Sequence, residues 1–365
     1  MSTKQKKIDA ILKKYDGMIT GLNDLTAGDP PSSLFYILAD KLSYLMDANE
    51  NVAINPKGVA RRRKINPIIK TLGAHFLSNP QIFENRNFLR DPNCSDPPPD
   101  AKIALPDEPV IWASNHGFKD DGVASILAAQ RHAYILFGSL PQFYNTFDGI
   151  TAWLNGVAMA NRKVSASRKA SIAKAVRVIN CGADLLIYPE GIWNKSPSAL
   201  AIDLWPGVYR IACETGAKVA PIVHYLRDND ATKSNPIHTV VDDPFRIDDL
   251  TERQALDYIR DAFATWYYLM IEAYGKSSRD EILKGASTAA EAWERQLKER
   301  VSGVSRYDKE IERWADYRPK WKVPPQQVWQ AVADIANITL QNAGHILYAK
   351  QLVAQYAKED FQHRF

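Results

Sequence analysis

The chain has 365 residues, 45% of them hydrophobic and 24% charged, with a formal net charge of +4. That is the length of one large core or two modest ones, at the composition of an ordinary soluble globular protein. Three cysteines, Cys94, Cys181 and Cys213, are too few and too scattered for a disulfide framework or a metal knuckle, which fits an intracellular, reducing compartment.

The first residues, Met1 to Lys7, are polar and lead into an amphipathic stretch without an apolar core, so no signal peptide is expected. Residues 1 to about 92 read as helical: Ile8, Ile11, Leu12 and Tyr15 recur at helical spacing, and 34–46 forms a second amphipathic stretch. The densest cationic cluster is Arg61, Arg62, Arg63 and Lys64. It reads either as a solvated helix face or as a dock for anionic lipid, at about 1 kcal/mol per charge near the surface. No nucleic-acid-binding motif accompanies it. The run Asp96-Pro97-Pro98-Pro99-Asp100 cannot continue a helix and marks a boundary. The expected organisation is a helical region 1–100, an α/β domain 101–250 and a helical region 251–365.

From 105 to about 245, short apolar runs alternate with helical patterns. Strands are predicted at 109–113, 133–137, 156–160, 184–188, 218–224 and 237–241, and helices near 121–130, 165–180 and 206–215. Such alternation predicts an α/β fold with a mostly parallel sheet flanked by helices. Ligand chemistry then gathers at strand ends. No stretch reaches 18 continuous apolar residues; 124–140 comes nearest, but Gln130, Arg131 and His132 interrupt it, so no spanning helix is expected.

His116 and Asp121 are the most informative pair. The apolar run 109–113 leads to Asn115-His116, and four residues separate His116 from Asp121. On one continuous helix, five steps of roughly 100° set two side chains about 140° apart. The pair can meet only if His116 lies outside the helix, at the strand-to-helix turn. An imidazole held there by a carboxylate suits a general base. Downstream come a segment from Gly156 to Arg162, a buried strand ending in Pro189-Glu190-Gly191, and a third strand containing Pro221.

In this order the four segments resemble the phospholipid-synthesis acyltransferases, the glycerol-3-phosphate and lysophosphatidate acyltransferase family. The resemblance covers about 105–245. It implies that His116 deprotonates an acceptor hydroxyl for attack on an acyl thioester, with Asp121 orienting the imidazole. It further implies that Arg162, Glu190 and Gly191 bind a phosphate-bearing acceptor, and that Pro221 serves the acyl site or the scaffold. An Arg can grip phosphate through two parallel hydrogen bonds, and a Gly lets backbone approach a ligand. The chain departs from the family at Phe118, where a small residue is usual, at Asn161, often Asp, and at Ile192-Trp193, where Thr-Arg or Thr-Ser is usual. Lys195 is placed to supply the cation missing beside Glu190. The pattern resembles a divergent, soluble bacterial-type branch.

Beyond 250 the pattern turns helical. The stretch 255–274 is aromatic, with Phe263, Trp266, Tyr267 and Tyr268, and suits core packing or an interfacial helix. Further helices are expected at 281–301 and 326–358. The resulting expectation is an acyltransferase, with acyl-CoA or acyl carrier protein as co-substrate and no cofactor or metal. The acceptor is glycerol-3-phosphate or a lysophospholipid. The enzyme is expected to be cytoplasmic or peripheral on the inner face of a membrane. The alternatives are a non-catalytic lipid or acyl-chain binder of the same fold and a metal-dependent hydrolase built on His116, Asp120 and Asp121.

Overall fold

The computed structural model describes residues 54–77, 80–90, 103–118, 120–138, 151–152, 154–160, 165–192, 194, 201–226 and 236–274. The helices expected before residue 54 and after 274 lie outside them.

Among the described residues seven strands form one sheet: β1 (Gln81–Phe83), β2 (Ile111–Ser114), β3 (Ala133–Phe137), β4 (Val157–Met159), β5 (Asp184–Ile187), β6 (Val219–Leu226) and β7 (Ile237–Val241). Their spatial order is β1-β7-β6-β2-β5-β3-β4. Neighbours pair parallel except β6 with β7. The helices are α1 (Pro56–Phe76), α2 (Arg86–Arg90), α3 (Asp121–Ala128), α4 (Ser165–Asn180), α5 (Gly207–Thr215) and α6 (Glu252–Tyr274). This is the expected mostly parallel α/β sheet with flanking helices.

The central strands read as unbroken apolar runs because both sheet faces are covered. Ile111, Ala113, Leu185, Ile187, Val219 and Val223 pack on one side with residues of α4, α5 and α6. Trp112, Leu186, Ala220 and Ile222 point to the other side, where Ala128 and Ala129 at the end of α3 and Ile65 of α1 join them. The aromatic stretch of α6 belongs to the first layer: Phe263, Trp266, Tyr267 and Tyr268 are all buried. A capping box starts that helix, with Thr251 N–H donating to Gln254 Oε1 and Gln254 N–H to Thr251 Oγ1.

Two features of the N-terminal part differ from the sequence reading. Residues 81–83, read as helical, form an edge strand registered on β7. Three residues with two side chains exposed carry no alternation to read, and only pairing with β7 orders them as strand. The cationic cluster also divides. α1 starts at an Asn55 N-cap, whose side chain accepts from Gly58 N–H at 2.8 Å, with Pro56 in the first turn. Its buried stripe is Val59, Arg62, Asn66, Ile69 and Gly73, so Arg62 turns inward while Arg61, Arg63 and Lys64 stay exposed. The Arg62 guanidinium lies 5.6 Å from the centre of the Tyr134 ring. Burial lowers its pKa, and Tyr134 opposes that shift.

Gly156 ends the loop into β4 with φ at +112°. A Cβ there would lie 2.8 Å from Tyr134 Cε1 and 2.9 Å from Arg62 Cδ. Gly156→Ala is therefore expected to destabilise the fold by at least about 1–3 kcal/mol from backbone strain alone. Urea unfolding at fixed pH checks this, and an unchanged midpoint would count against the crowding.

Candidate active site

Strand β2 ends in the centre of the sheet, between β6 and β5, and its carboxyl end leads into residues 115–118, of which only His116 is partly exposed. α3 begins at Asp121. His116 therefore lies outside the helix, and Asp121 sits in its first turn, where the helix N-terminus favours a carboxylate. Asp121 Oδ2 is 2.7 Å from His116 Nδ1 and also accepts the N–H groups of Gly117, at 2.8 Å, and Phe118, at 3.2 Å. Asp121 is buried, whereas the His116 side chain is 24% exposed. With Nδ1–H donating to an ionised Asp121, a neutral imidazole carries its lone pair on Nε2. Such a ring can take a proton from a hydroxyl and later return it.

Tyr188, at the end of β5, flanks this ring with centroids 4.5 Å apart, and its hydroxyl donates to the Asp121 carbonyl at 3.3 Å. Burial raises the Tyr188 pKa well above its ordinary value, with the Asp121 charge adding to the shift. The phenol is therefore a neutral donor. Nothing in the sequence singled it out beyond its place before Pro189.

Glu190 is 1% exposed. Its Oε2 accepts His116 N–H at 2.9 Å and its Oε1 accepts Ile202 N–H at 3.0 Å. Burial pushes this carboxyl up to about 8, against the opposite pull of the Ile202 and His116 N–H groups. Gly191 adopts φ +70°, and a Cβ on it would lie 2.8 Å from Cδ1 of the exposed Trp205. Pro221 is buried in β6, in register with Ala113. The structure thus brings His116, Asp121, Glu190 and Gly191 together at the carboxyl ends of β2 and β5, with Pro221 beneath them. Arg162 and Lys195 lie outside the described residues, as do Asn161 and Trp193. Phe118 is buried in a small cluster with Ala124, Leu226 and Ile237, edge-on to His224. Packing accounts for its size.

Below the loop runs a chain of buried polar side chains that sequence reasoning missed. Ser114 Oγ lies 2.9 Å from Ser125 Oγ, Ser125 Oγ lies 2.8 Å from His224 Nε2, and His224 Nδ1 lies 2.9 Å from Thr239 Oγ1. Two signals were present: Ser125 stands one helical turn after Asp121, and His224 interrupts an apolar strand. Burial drives His224 down to about 4, so the ring stays neutral. His132, immediately before β3, is lowered likewise by burial to about 4. Among the described residues no three His, Cys, Asp or Glu side chains converge as a metal site requires.

Residues 96–225 match the model of the family described as Acyltransferase. Among solved structures the chain is similar to the 1-acyl-sn-glycerophosphate (LPA) acyltransferase from Thermotoga maritima. The two are 13% identical, the match covers 64% of this chain and 93% of that one, and the TM-score is 0.41. No curated protein matches the sequence.

The two buried groups give opposite pH dependences. His224, with its folded pKa lowered to about 4, contributes stability that is present above about 6.5 and lost as pH falls towards 4. Glu190, raised to about 8, contributes stability that is full below about 4.5 and lost as pH rises to 8. Unfolding free energies measured from pH 4 to 9 are expected to lose part of their acid-side decline in His224→Gln, up to about 3 kcal/mol. In Glu190→Gln the decline towards pH 8 is expected to flatten. Parallel curves for wild type and variants would contradict the assignment.

Proposed function

We propose that this chain, whose residues 96–225 belong to the Acyltransferase family, moves a fatty acyl group from a CoA or acyl-carrier-protein thioester to a hydroxyl of glycerol-3-phosphate or a lysophospholipid. The observation that carries the mechanism is the 2.7 Å contact between His116 Nδ1 and the buried Asp121, which leaves Nε2 as the basic nitrogen of an accessible ring. His116 removes the acceptor proton as the hydroxyl oxygen attacks the thioester carbonyl. The new C–O bond forms, the C–S bond breaks, and the imidazolium returns the proton to the departing thiolate. Asp121 holds the ring and stabilises its charged form. Direct transfer is favoured over an acyl-enzyme, since the motif carries no Ser or Cys nucleophile.

Arg162 and Lys195 take the acceptor phosphate in this reading. Gly191 is assigned to the same acceptor site, with the Trp205 ring occupying the space that a Cβ would take. Pro221 belongs to the scaffold under the acyl site.

The lipid substrate implies a membrane surface. Among the described residues no helix is long and apolar enough to cross a membrane. α1 supports a peripheral dock instead. Lys57, Arg61, Lys64, Ile68, Leu72 and His75 are exposed and fall on one arc of the helix, which contains no Asp or Glu. Ile68 is 60% and Leu72 41% exposed. Cations beside protruding aliphatic side chains suit anionic headgroups with shallow insertion. The apolar end of α1 lies near α3, where Gly73 meets Val123. This sets the dock beside the helix that carries Asp121, on the cytoplasmic face if the enzyme works there.

Free-thiol release from long-chain acyl-CoA and acyl-carrier-protein, with glycerol-3-phosphate and lysophosphatidate in turn, tests the reaction. Acceptor-dependent release with acylated product is expected, falling roughly 10²–10⁴-fold in His116→Ala. Acyl-chain binding without turnover for any pair would favour a non-catalytic lipid binder.

The combined variant Lys57→Glu, Arg61→Glu and Lys64→Glu is expected to lose at least tenfold of its sedimentation with phosphatidylserine-containing vesicles. Turnover of glycerol-3-phosphate in free solution should be unchanged. Unaltered sedimentation would remove α1 as the dock.

A further inference from the structure

The family resemblance assigns Glu190 to the acceptor. The geometry points elsewhere: we infer that Glu190 is a positioning residue that holds the backbone of His116. This rests on His116 being the base of the proposed transfer.

The inference follows from where the polar groups of residues 115–118 go. Asn115 N–H donates to Ile222 O at 3.2 Å. The Asn115 side chain then reproduces a sheet pairing with β6, its Nδ2 donating to His224 O at 3.0 Å and its Oδ1 accepting His224 N–H at 2.8 Å. Gly117 and Phe118 donate to Asp121. The His116 N–H remains, and Glu190 Oε2 takes it at 2.9 Å. On the other side of the same residue, His116 O accepts Asn194 N–H at 2.7 Å. The segment following β5 therefore grasps both backbone polar groups of His116, one through a carboxyl group and one through a peptide.

Fixing both peptide planes fixes the direction of the His116 Cα–Cβ bond. Only the two side-chain torsions are then left, and Asp121 and the Tyr188 ring constrain those. A displacement of Nε2 by about 1 Å can cost on the order of a hundredfold in rate.

Glu190 is poorly placed to meet substrate directly. It is buried, and its second oxygen is taken by Ile202 N–H. At 1% exposure, neither oxygen is open to a substrate hydroxyl unless the surrounding backbone moves. The contact with Ile202 also has a use. It ties the catalytic loop to the segment entering α5, where Trp205 N–H donates to Pro189 O at 2.7 Å. One carboxyl group thus joins the ends of β2 and β5 to the approach to α5. A buried carboxyl accepting backbone N–H groups is a device for holding loops.

The test is Glu190→Gln, which keeps the side chain's size and one acceptor oxygen but turns an amide N–H₂ towards one of the two donors. Steady-state rates with palmitoyl-CoA and glycerol-3-phosphate are expected to show kcat lowered roughly ten- to a hundredfold. Both KM values should stay within about twofold of wild type, as for an interaction that matters to the reacting geometry alone. Hydrogen–deuterium exchange gives a readout independent of turnover: amides of the 112–120 peptide should exchange at least about tenfold faster, with the remaining strands unchanged. A tenfold rise in the glycerol-3-phosphate KM at unchanged kcat would overturn the inference and return Glu190 to the acceptor. Unchanged exchange at 112–120, or faster exchange throughout the sheet, would also overturn it. Should the wild-type enzyme turn over no substrate pair, the acyl-transfer reading fails while the exchange pattern still decides what Glu190 holds.

Discussion

Three N–H donors, from the His116 ring, Gly117 and Phe118, converge on a single carboxylate oxygen of Asp121. This convergence joins the end of the central strand to the start of α3 and makes the geometry of one the geometry of the other. The donors lie in a tight turn that a helix cannot form, and the acceptor lies at a helix N-terminus, where negative charge is favoured. The charge and the turn each require the other: without Asp121 the two backbone donors would be buried unpaired, and without the turn the carboxylate would be buried without donors.

The sheet supplies the rigid base for this turn. β2 lies between β6 and β5, its apolar residues covered on both faces, so its end has little freedom. A second buried carboxylate secures the other end of the strand. Asp184 accepts Val110 N–H and Trp112 Nε1–H and pairs with Arg131. Burial raises its pKa, and Arg131 opposes the shift. Both ends of the central strand are thus held by acids from neighbouring segments that accept several hydrogen bonds each, the arrangement in which a buried carboxylate costs less.

Beneath the turn, Ser114, Ser125, His224 and Thr239 form a polar chain through an otherwise apolar core. Hydroxyls and a neutral imidazole can each donate and accept, so such a chain can satisfy itself without net charge. Apolar replacements would fill the same volume without setting the orientation of α3 against β6. The polar chain sets that orientation, and with it the position of Asp121 relative to β2.

Legibility in the sequence followed burial and periodicity. The strand at 133–137 was readable as a continuous apolar run, whereas the aromatic stretch of α6 suited core or interface alike until its burial in the first layer decided for the core. The edge strand at 81–83 was not, because its order comes from its partner β7. Arg62 was indistinguishable from Arg61 and Arg63, since a cationic run does not record which member turns inward over Tyr134. The spacing of His116 and Asp121, with the apolar run before them, was sufficient to place the histidine outside the helix and the aspartate within it if the two were to meet. What Glu190 touches was not contained in its place after Pro189, and neither was the approach of Tyr188, Ser125 and His224 to the same turn. By itself the sequence determined the order of strands and helices between 105 and 245 and the placing of His116 and Asp121 on either side of a helix start, because periodicity and spacing are local properties of the chain. Tertiary structure alone decided the partners of each buried polar group, because those hydrogen bonds join residues as many as 154 positions apart and exist only once the sheet has brought their strands together.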